Sequence, residues 1–365
     1  MKKEAKSFSR GGLGQLTIPI IAILLLVIFN LIRDPSFFAI GFTTDNDSNL
    51  VLEGNLISII NAASELAILA MGMTLVTAAC GGQDISVGAA AAIAGSAFVK
   101  IIKGAAIVDG EPVISGGRVF AAFLFACLVA MLFGSFNGML VAVFKIQPMI
   151  ATLILFTCGR SIAYWINGGA TPNFHSPITK AIGGFIPGVP IPAPVLITFA
   201  TFVLFILLFR FTSLGLLTQA VGINGSAARL NGINATFIKL LSFIILGVCV
   251  AIAGCIGTCR LELINHETLL IDVEMDTILA VAIGGNNLGG GKFKIGGSII
   301  GAYVIQMLTT TLFAMKVSST DIKAYKAIVI VLLVVMGSPV IKAKFGKLMM
   351  KIRDNKSRVS TKGAE

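Results

Sequence analysis

Charge is scarce in this chain. Of its 365 residues only 12% are Asp, Glu, Lys or Arg, about half the roughly 25% usual in soluble domains. With 56% hydrophobic residues and a mean hydropathy of +0.94, that shortfall excludes a soluble globular fold. Metal-ligand patterns are also missing. The two histidines, His175 and His266, have no neighbours at ligand spacing, so both read as surface residues and no metal site is expected. The six cysteines contain no C-x-x-C pair and read as small buried hydrophobes. Alternating ten-residue segments are absent, which argues against an outer-membrane barrel. No A-x-A-like site follows the first apolar run, so that run reads as a retained span.

What the chain does have is long apolar runs, each near the roughly 20 residues a helix needs to cross the hydrocarbon core. They predict an all-α polytopic membrane protein with about ten transmembrane helices (eight to ten), some of them broken. The runs lie near 16–32, 56–79, 85–102, 119–144, 149–166, 195–211, 237–258, 277–283, 298–313 and 327–341. Basic residues dominate, 28 Lys and Arg against 17 Asp and Glu. They gather in the tails, from Lys2, Lys3, Lys6 and Arg10 to Lys342 and Lys362, as the positive-inside rule requires. Both termini are therefore expected in the cytoplasm. Residues 1–15 and 342–365 read as basic tails that meet anionic lipid rather than nucleic acid. Residues 16–341 read as one transmembrane domain, with a polar cytoplasmic loop at 212–236. The Pro/Gly-rich piece 167–194 and the acidic stretch with Glu262, Glu267, Asp272 and Glu274 read as external.

Two glycine pairs interrupt the apolar pattern. Gly81-Gly82 follow one apolar run and precede a small-residue helix; Gly284-Gly285 do the same in the second half. Interrupted spans in both halves point to a transport site. Polar groups inside or beside the spans are the pathway candidates: Asn61, Glu65, Thr74, Asp84, Asn137 and Thr152. Each also has a structural reading. Asp84 lines a gate or caps the following helix near Ser86. Glu65, four positions after Asn61 and on the same helix face, offers a polar group to substrate or pairs internally between helices. Asn137 lines the path or bonds across helices beside Gly134-Ser135. Arg160 is expected to pair with a carboxylate or with backbone carbonyls.

Four segments carry a family resemblance: Ala70 to Val76 with GGQDISVG at 81–88, Asn137-Gly138 with PMIATL at 148–153, AARLNGIN at 227–234, and EMDTILA at 274–280 with Gly284-Gly285 and Gly289 to Gly291. In this order they resemble the permease subunits of bacterial ATP-binding-cassette importers for ribose and related monosaccharides, the ribose/xylose/galactose-type permeases. The departures are Gln83 where that family usually has Ile, Met149 where it has Phe, and Lys292-Phe293-Lys294 in the last Gly-rich loop.

The resemblance implies a multi-pass protein of the bacterial inner membrane and a permease homodimer. It also implies cytoplasmic ATPase partners that bind the ATP, and an external or periplasmic sugar-binding protein. Gly222, Asn224, Ala227, Ala228, Arg229 and Gly232 then belong to a short coupling helix that meets the ATPase, the other reading being a solvated loop. No nucleotide site of the chain's own is expected. In GGNNLGGGK the first glycine of a P-loop falls at Asn286, and Phe293 stands where magnesium needs Ser or Thr. The chain is thus read as a transport subunit, not an enzyme, with no cofactor. Two other functions stay open at this point: an ion-coupled carrier using Glu65 or Asp84, and an importer of the same design for nucleosides or branched-chain amino acids.

Overall fold

A computed structural model describes residues 7–44, 50–104, 107–108, 111–112 and 114–337. Residues 1–6 and 338–365, with the lysines of both tails and the end of the tenth expected span, lie outside the described residues. By its contacts the chain divides into Met1–Thr311 and Leu312–Glu365.

The first unit begins with α1 (Ser7–Arg33), which starts inside the segment read as a tail. After it, Asp34 accepts from the amide and hydroxyl of Ser36, which holds its carboxyl below the ordinary carboxylate value. A hairpin of β1 (Gly41–Thr44) and β2 (Leu50–Glu53) leads to α2 (Asn55–Cys80) and α3 (Val87–Lys103). A second small hairpin, β3 (Ile107–Val108) with β4 (Glu111–Pro112), precedes α4 (Gly116–Ala142) and α5 (Pro148–Ile166). The described residues are overwhelmingly helical, as an all-α membrane protein requires, and the two short hairpins lie in the connections. Pro148 opens α5 at a position where a missing amide costs nothing.

Next come α6 (Pro177–Gly183), α7 (Ala193–Phe211), α8 (Leu214–Ile223), α9 (Gly225–Leu230), α10 (Ala235–Leu261), α11 (Val273–Ile283) and α12 (Ile295–Ala314). In the second unit the described residues are the end of α12 and α13 (Ser319–Gly337). Among the described residues six helices are long and apolar enough to cross a membrane: α2, α4, α5, α7, α10 and α12.

Buried α2 and α10 form the centre, and α4, α5 and α7 turn apolar faces outward, as lipid-facing helices do. Small residues set the close approaches. A Cβ at Gly134 would lie 2.6 Å from the Phe243 carbonyl oxygen, and one at Gly247 2.7 Å from that of Ala130, so α4 and α10 run antiparallel. A Cβ at Gly254 would lie 2.6 Å from the Ala91 oxygen, and one at Gly95 2.5 Å from Thr258 Oγ1, so α3 runs parallel to α10. Ala91 is in the first turns of α3. That helix therefore begins within the depth spanned by α10, not at its end. Four of the six cysteines are buried, while Cys158 is exposed and Cys80 half-buried.

Three sequence expectations need correction. The loop 167–194 carries a helix, α6, packed so tightly on α10 that a Cβ at Gly183 would lie 2.2 Å from the Arg260 amide nitrogen. The seventh span runs on to Leu261 and takes Arg260 into a helix. The eighth begins at Val273, so Glu274 is a buried helical residue and not part of an external acidic loop.

Candidate functional site

Asp84 follows the αL residue Gly81, which ends α2 by donating to the Thr77 carbonyl at 3.0 Å. Asp84 Oδ1 accepts from the amide of Ser86 at 2.7 Å and from its hydroxyl at 2.6 Å. Asn137 Nδ2 donates to Ser86 Oγ at 2.9 Å and to Asp84 Oδ2 at 3.4 Å. The Ile85 amide donates to Thr152 Oγ1 at 3.1 Å. Asp84, Asn137 and Thr152, three of the six pathway candidates, thus meet in one buried cluster that holds the break open. Asp84 closes a tight turn on Ser86, the residue before α3; no side chain caps that helix, which starts at Val87, two residues later than the apolar pattern indicated.

Thr74 belongs to the second break. Its hydroxyl donates to the Ala70 carbonyl at 2.6 Å and lies 2.6 Å from Ser298 Oγ. One hydroxyl has one proton, so Ser298 is the donor to Thr74. Asn286 Nδ2 in turn donates to Ser298 Oγ at 2.8 Å, and Asn286 Oδ1 accepts from the Lys294 amide at 2.6 Å. This buried chain ties α2 to the loop between α11 and α12.

Asn61 and Glu65 form a third centre. Arg260 Nη1 donates to Glu65 Oε2 at 2.9 Å, and its Nη2 reaches both the carbonyl and the side-chain oxygen of Asn61 at 3.2 Å. Internal pairing is the reading the structure supports here. Arg160 Nη1 donates to the carbonyls of His266, Glu267 and Leu269, the backbone alternative. His266 is largely covered: its side chain is 13% exposed and its ring lies tilted against that of Tyr164, centroids 4.8 Å apart. His175 is exposed and lies 2.7 Å from Glu262.

The glycine breaks meet each other. The Gly291 amide donates to the Ala78 carbonyl at 2.9 Å, and Gln83 Nε2 donates to the Leu288 carbonyl at 3.0 Å. A Cβ at Gly81 would lie 2.8 Å from the Gly289 oxygen. Gly82 packs on the Pro148 ring and Gly284 on the backbone of Gly297, while Gly285 takes a positive φ of 80°. Gly222, at the end of α8, closes on the same point: its Cβ would sit 1.8 Å from the Ala78 oxygen and 2.7 Å from the Gly291 nitrogen. From there Asn224 caps α9, accepting from Ser226 and Ala227 at 3.1 and 3.0 Å. Gly232, at φ 78°, ends the turn. Ala228 is buried in a cluster with Leu214, Val221, Ala235 and Ile238. Ala227 and Arg229 face outward, with Ile223 and Leu230 exposed beside them.

The family described as "Branched-chain amino acid transport system / permease component" matches residues 55–337. The chain belongs to that family. It is 36% identical over 320 residues to the galactofuranose transporter permease protein of Escherichia coli strain K12, covering 87% of this chain and 88% of that one. It is 34% identical over 344 residues to the fructose import permease protein of Bifidobacterium longum, covering 93% and 92%. With the ribose import permease protein of Escherichia coli strain K12 it shares 32% identity over 320 residues, covering 87% and 92%. No solved structure gives a significant match. The permease is a multi-pass protein of the cell inner membrane.

Sequence reasoning missed Arg260, Ser298, Asn286 and the burial of Glu274. Ser298 and Asn286 lie in a region already marked by its glycines, and that was the signal available. Arg260 sits at the end of an apolar run, where a basic residue reads as a boundary.

Proposed function

We propose that this permease is the transmembrane subunit of an ATP-driven, binding-protein-dependent importer of monosaccharides, pentose or hexose, working by alternating access. The observation that carries the reading is Gly222. The segment with the family's A-A-R-L motif abuts both helix breaks through backbone contacts, so a pull on α8 and α9 reaches the ends of α2 and the α11–α12 loop without intermediaries. The exposed apolar side chains of Ile223 and Leu230 suit a protein partner on that surface. The sugar class is supported by the three relatives, whose names specify galactofuranose, fructose and ribose.

In this reading two permease copies, cytoplasmic ATPases and an external sugar-binding protein form the working assembly. ATP is bound by the ATPases, and this chain carries no cofactor and catalyses no covalent step. Ten spans, with α1, α3, α11 and α13 added to the six long helices, keep both termini cytoplasmic and most basic residues inside. Residues 16–341 are the permease domain, residues 212–236 its coupling loop, and 1–15 and 342–365 its tails. Asp84, Asn137 and Thr152 border the pathway as a fixed wall. Asn61 and Glu65 brace its outer end through Arg260, and Thr74 braces the second break.

The test is uptake of labelled sugar into proteoliposomes holding the permease with its ATPase and binding protein. ATP is trapped on the side of the ATPase, with and without a proton ionophore. Uptake that needs ATP and both partners and ignores the ionophore is expected. Uptake by the permease alone that collapses with the ionophore overturns the proposal.

A further inference from the structure

The protein interior of this permease contains a carboxylate that the sequence placed in an external loop. Glu274 is 4% exposed and stands in the first turn of α11. Its Oε2 is buried and has no hydrogen-bond partner. That oxygen lies against α3: a Cβ at Gly88 would be 2.4 Å from Glu274 Oε2 and 2.9 Å from the Leu270 carbonyl oxygen. Gly88 is in the first turn of α3, one turn before the residue level with Gly254. Two helix N-termini therefore begin at one level inside the span, and the carboxylate sits at both. Positive helix ends make a buried anion tolerable there, but they do not give Oε2 a donor.

A buried donor without a partner lies nearby. Arg160 Nη1 is spent on three carbonyls of the segment before α11, and its Nη2 is buried with no partner. The Leu269 carbonyl it holds is next to Leu270, whose own carbonyl lies with Glu274 Oε2 against Gly88, although Arg160 and Glu274 form no hydrogen bond with each other. Gly159, the neighbour of Arg160, packs on Ala89, the neighbour of Gly88, with a Cβ distance of 3.0 Å. The start of α3 thus lies between a lone acceptor on α11 and a lone donor on α5. The backbone leading into α11 is also strained: Leu270 and Asp272 have φ of 46° and 61°, in the left-handed region that side chains avoid.

We propose that Glu274 and Arg160 form the polar station of the transport pathway, where the hydroxyl groups of the passing sugar are held. This rests on the importer reading above. A hydroxyl both donates and accepts, so it satisfies a carboxylate oxygen and a guanidinium nitrogen that do not reach each other. In this structure Oε2 is closed against Gly88; movement of α11 away from α3, about Leu270 and Asp272, uncovers it. Glu274 is then a substrate-positioning residue whose partner atoms are free only when the path is open.

The test uses the full transporter in proteoliposomes, with whichever of labelled D-ribose, D-fructose and D-galactose the wild type takes up best. Glu274→Gln keeps the side chain's shape, and Arg160→Gln tests the other side independently should the first variant not assemble. The expected result is that binding-protein-stimulated ATP hydrolysis stays within about twofold of wild type while sugar moved per ATP falls about tenfold or more, as loss of a charged hydrogen bond requires. Glu274→Asp is expected to recover part of it. Sugar moved per ATP that stays at the wild-type ratio in both variants overturns the proposal and leaves the importer reading standing. That outcome covers variants that lose hydrolysis and uptake in equal proportion, which marks a purely structural pair. Absence of ATP-dependent uptake of every probe by wild type overturns both.

Discussion

Arg260 and Glu65 lie 195 positions apart and form an ion pair of 2.9 Å between α10 and α2, with side chains 30% and 7% exposed. Removing the carboxylate strands a guanidinium that cannot fully reach water. Glu65→Ala is expected to cost about 2–4 kcal/mol, the lower end reflecting the exposed part of Arg260. Glu65→Gln, which still accepts from Arg260, costs less, and Glu65→Leu with Arg260→Met recovers part of the loss. Thermal unfolding of the purified permease in detergent measures the order.

Gly222→Ala is expected to abolish ATP-driven uptake. Its Cβ has no place beside the Ala78 carbonyl, so α8 must lift from both breaks. Gly225→Ala, three residues on, meets nothing within 4 Å and leaves uptake unchanged, with α9 firmer by roughly 1 kcal/mol. Comparing the two variants in the same liposome assay separates the junction from general sensitivity of the loop.

Asn224→Ala removes the cap that satisfies the amides of Ser226 and Ala227. About 1 kcal/mol of support for α9 is lost, and the affinity of the ATPase for the detergent-solubilised permease is expected to fall about fivefold. Asn224→Asp keeps the capping oxygen and the affinity.

Ser298→Ala leaves the buried Thr74 without its donor and removes the shortest of the three bonds of Asn286 Nδ2, leaving it the carbonyls of Lys294 and Val281 at 3.2 and 3.4 Å. The expected cost is about 1–3 kcal/mol. Thr74→Val combined with Ser298→Ala is expected to cost less than the two separate losses added together, because they share one hydrogen-bond chain. Unfolding midpoints of the three variants decide it.

The breaks were legible because glycine pairs and a carboxylate inside apolar runs are local signals. Asn61 and Glu65 were legible as neighbours on one face for the same reason. Their partner was not, since nothing around Arg260 names a residue on another helix. Glu274 was misplaced on physical grounds that apply widely. Four acidic residues within a dozen positions read as a solvated loop, and only the packing of Gly88 on the carboxylate reveals that the chain has re-entered the protein by then. Gln83, a departure from the family pattern, finds its explanation in a carbonyl more than half the chain away, at Leu288.

Ala78 leaves the ribosome long before Gly291, the amide that completes its hydrogen bond. Until the last Gly-rich loop is in place, the carbonyl at the end of α2 and the bare face of Gly222 have nothing to close against. The cytoplasmic surface we assign to the ATPase is therefore finished only when both halves of the permease have been inserted. A chain truncated before the last Gly-rich loop lacks the backbone contact that closes α2 against α8.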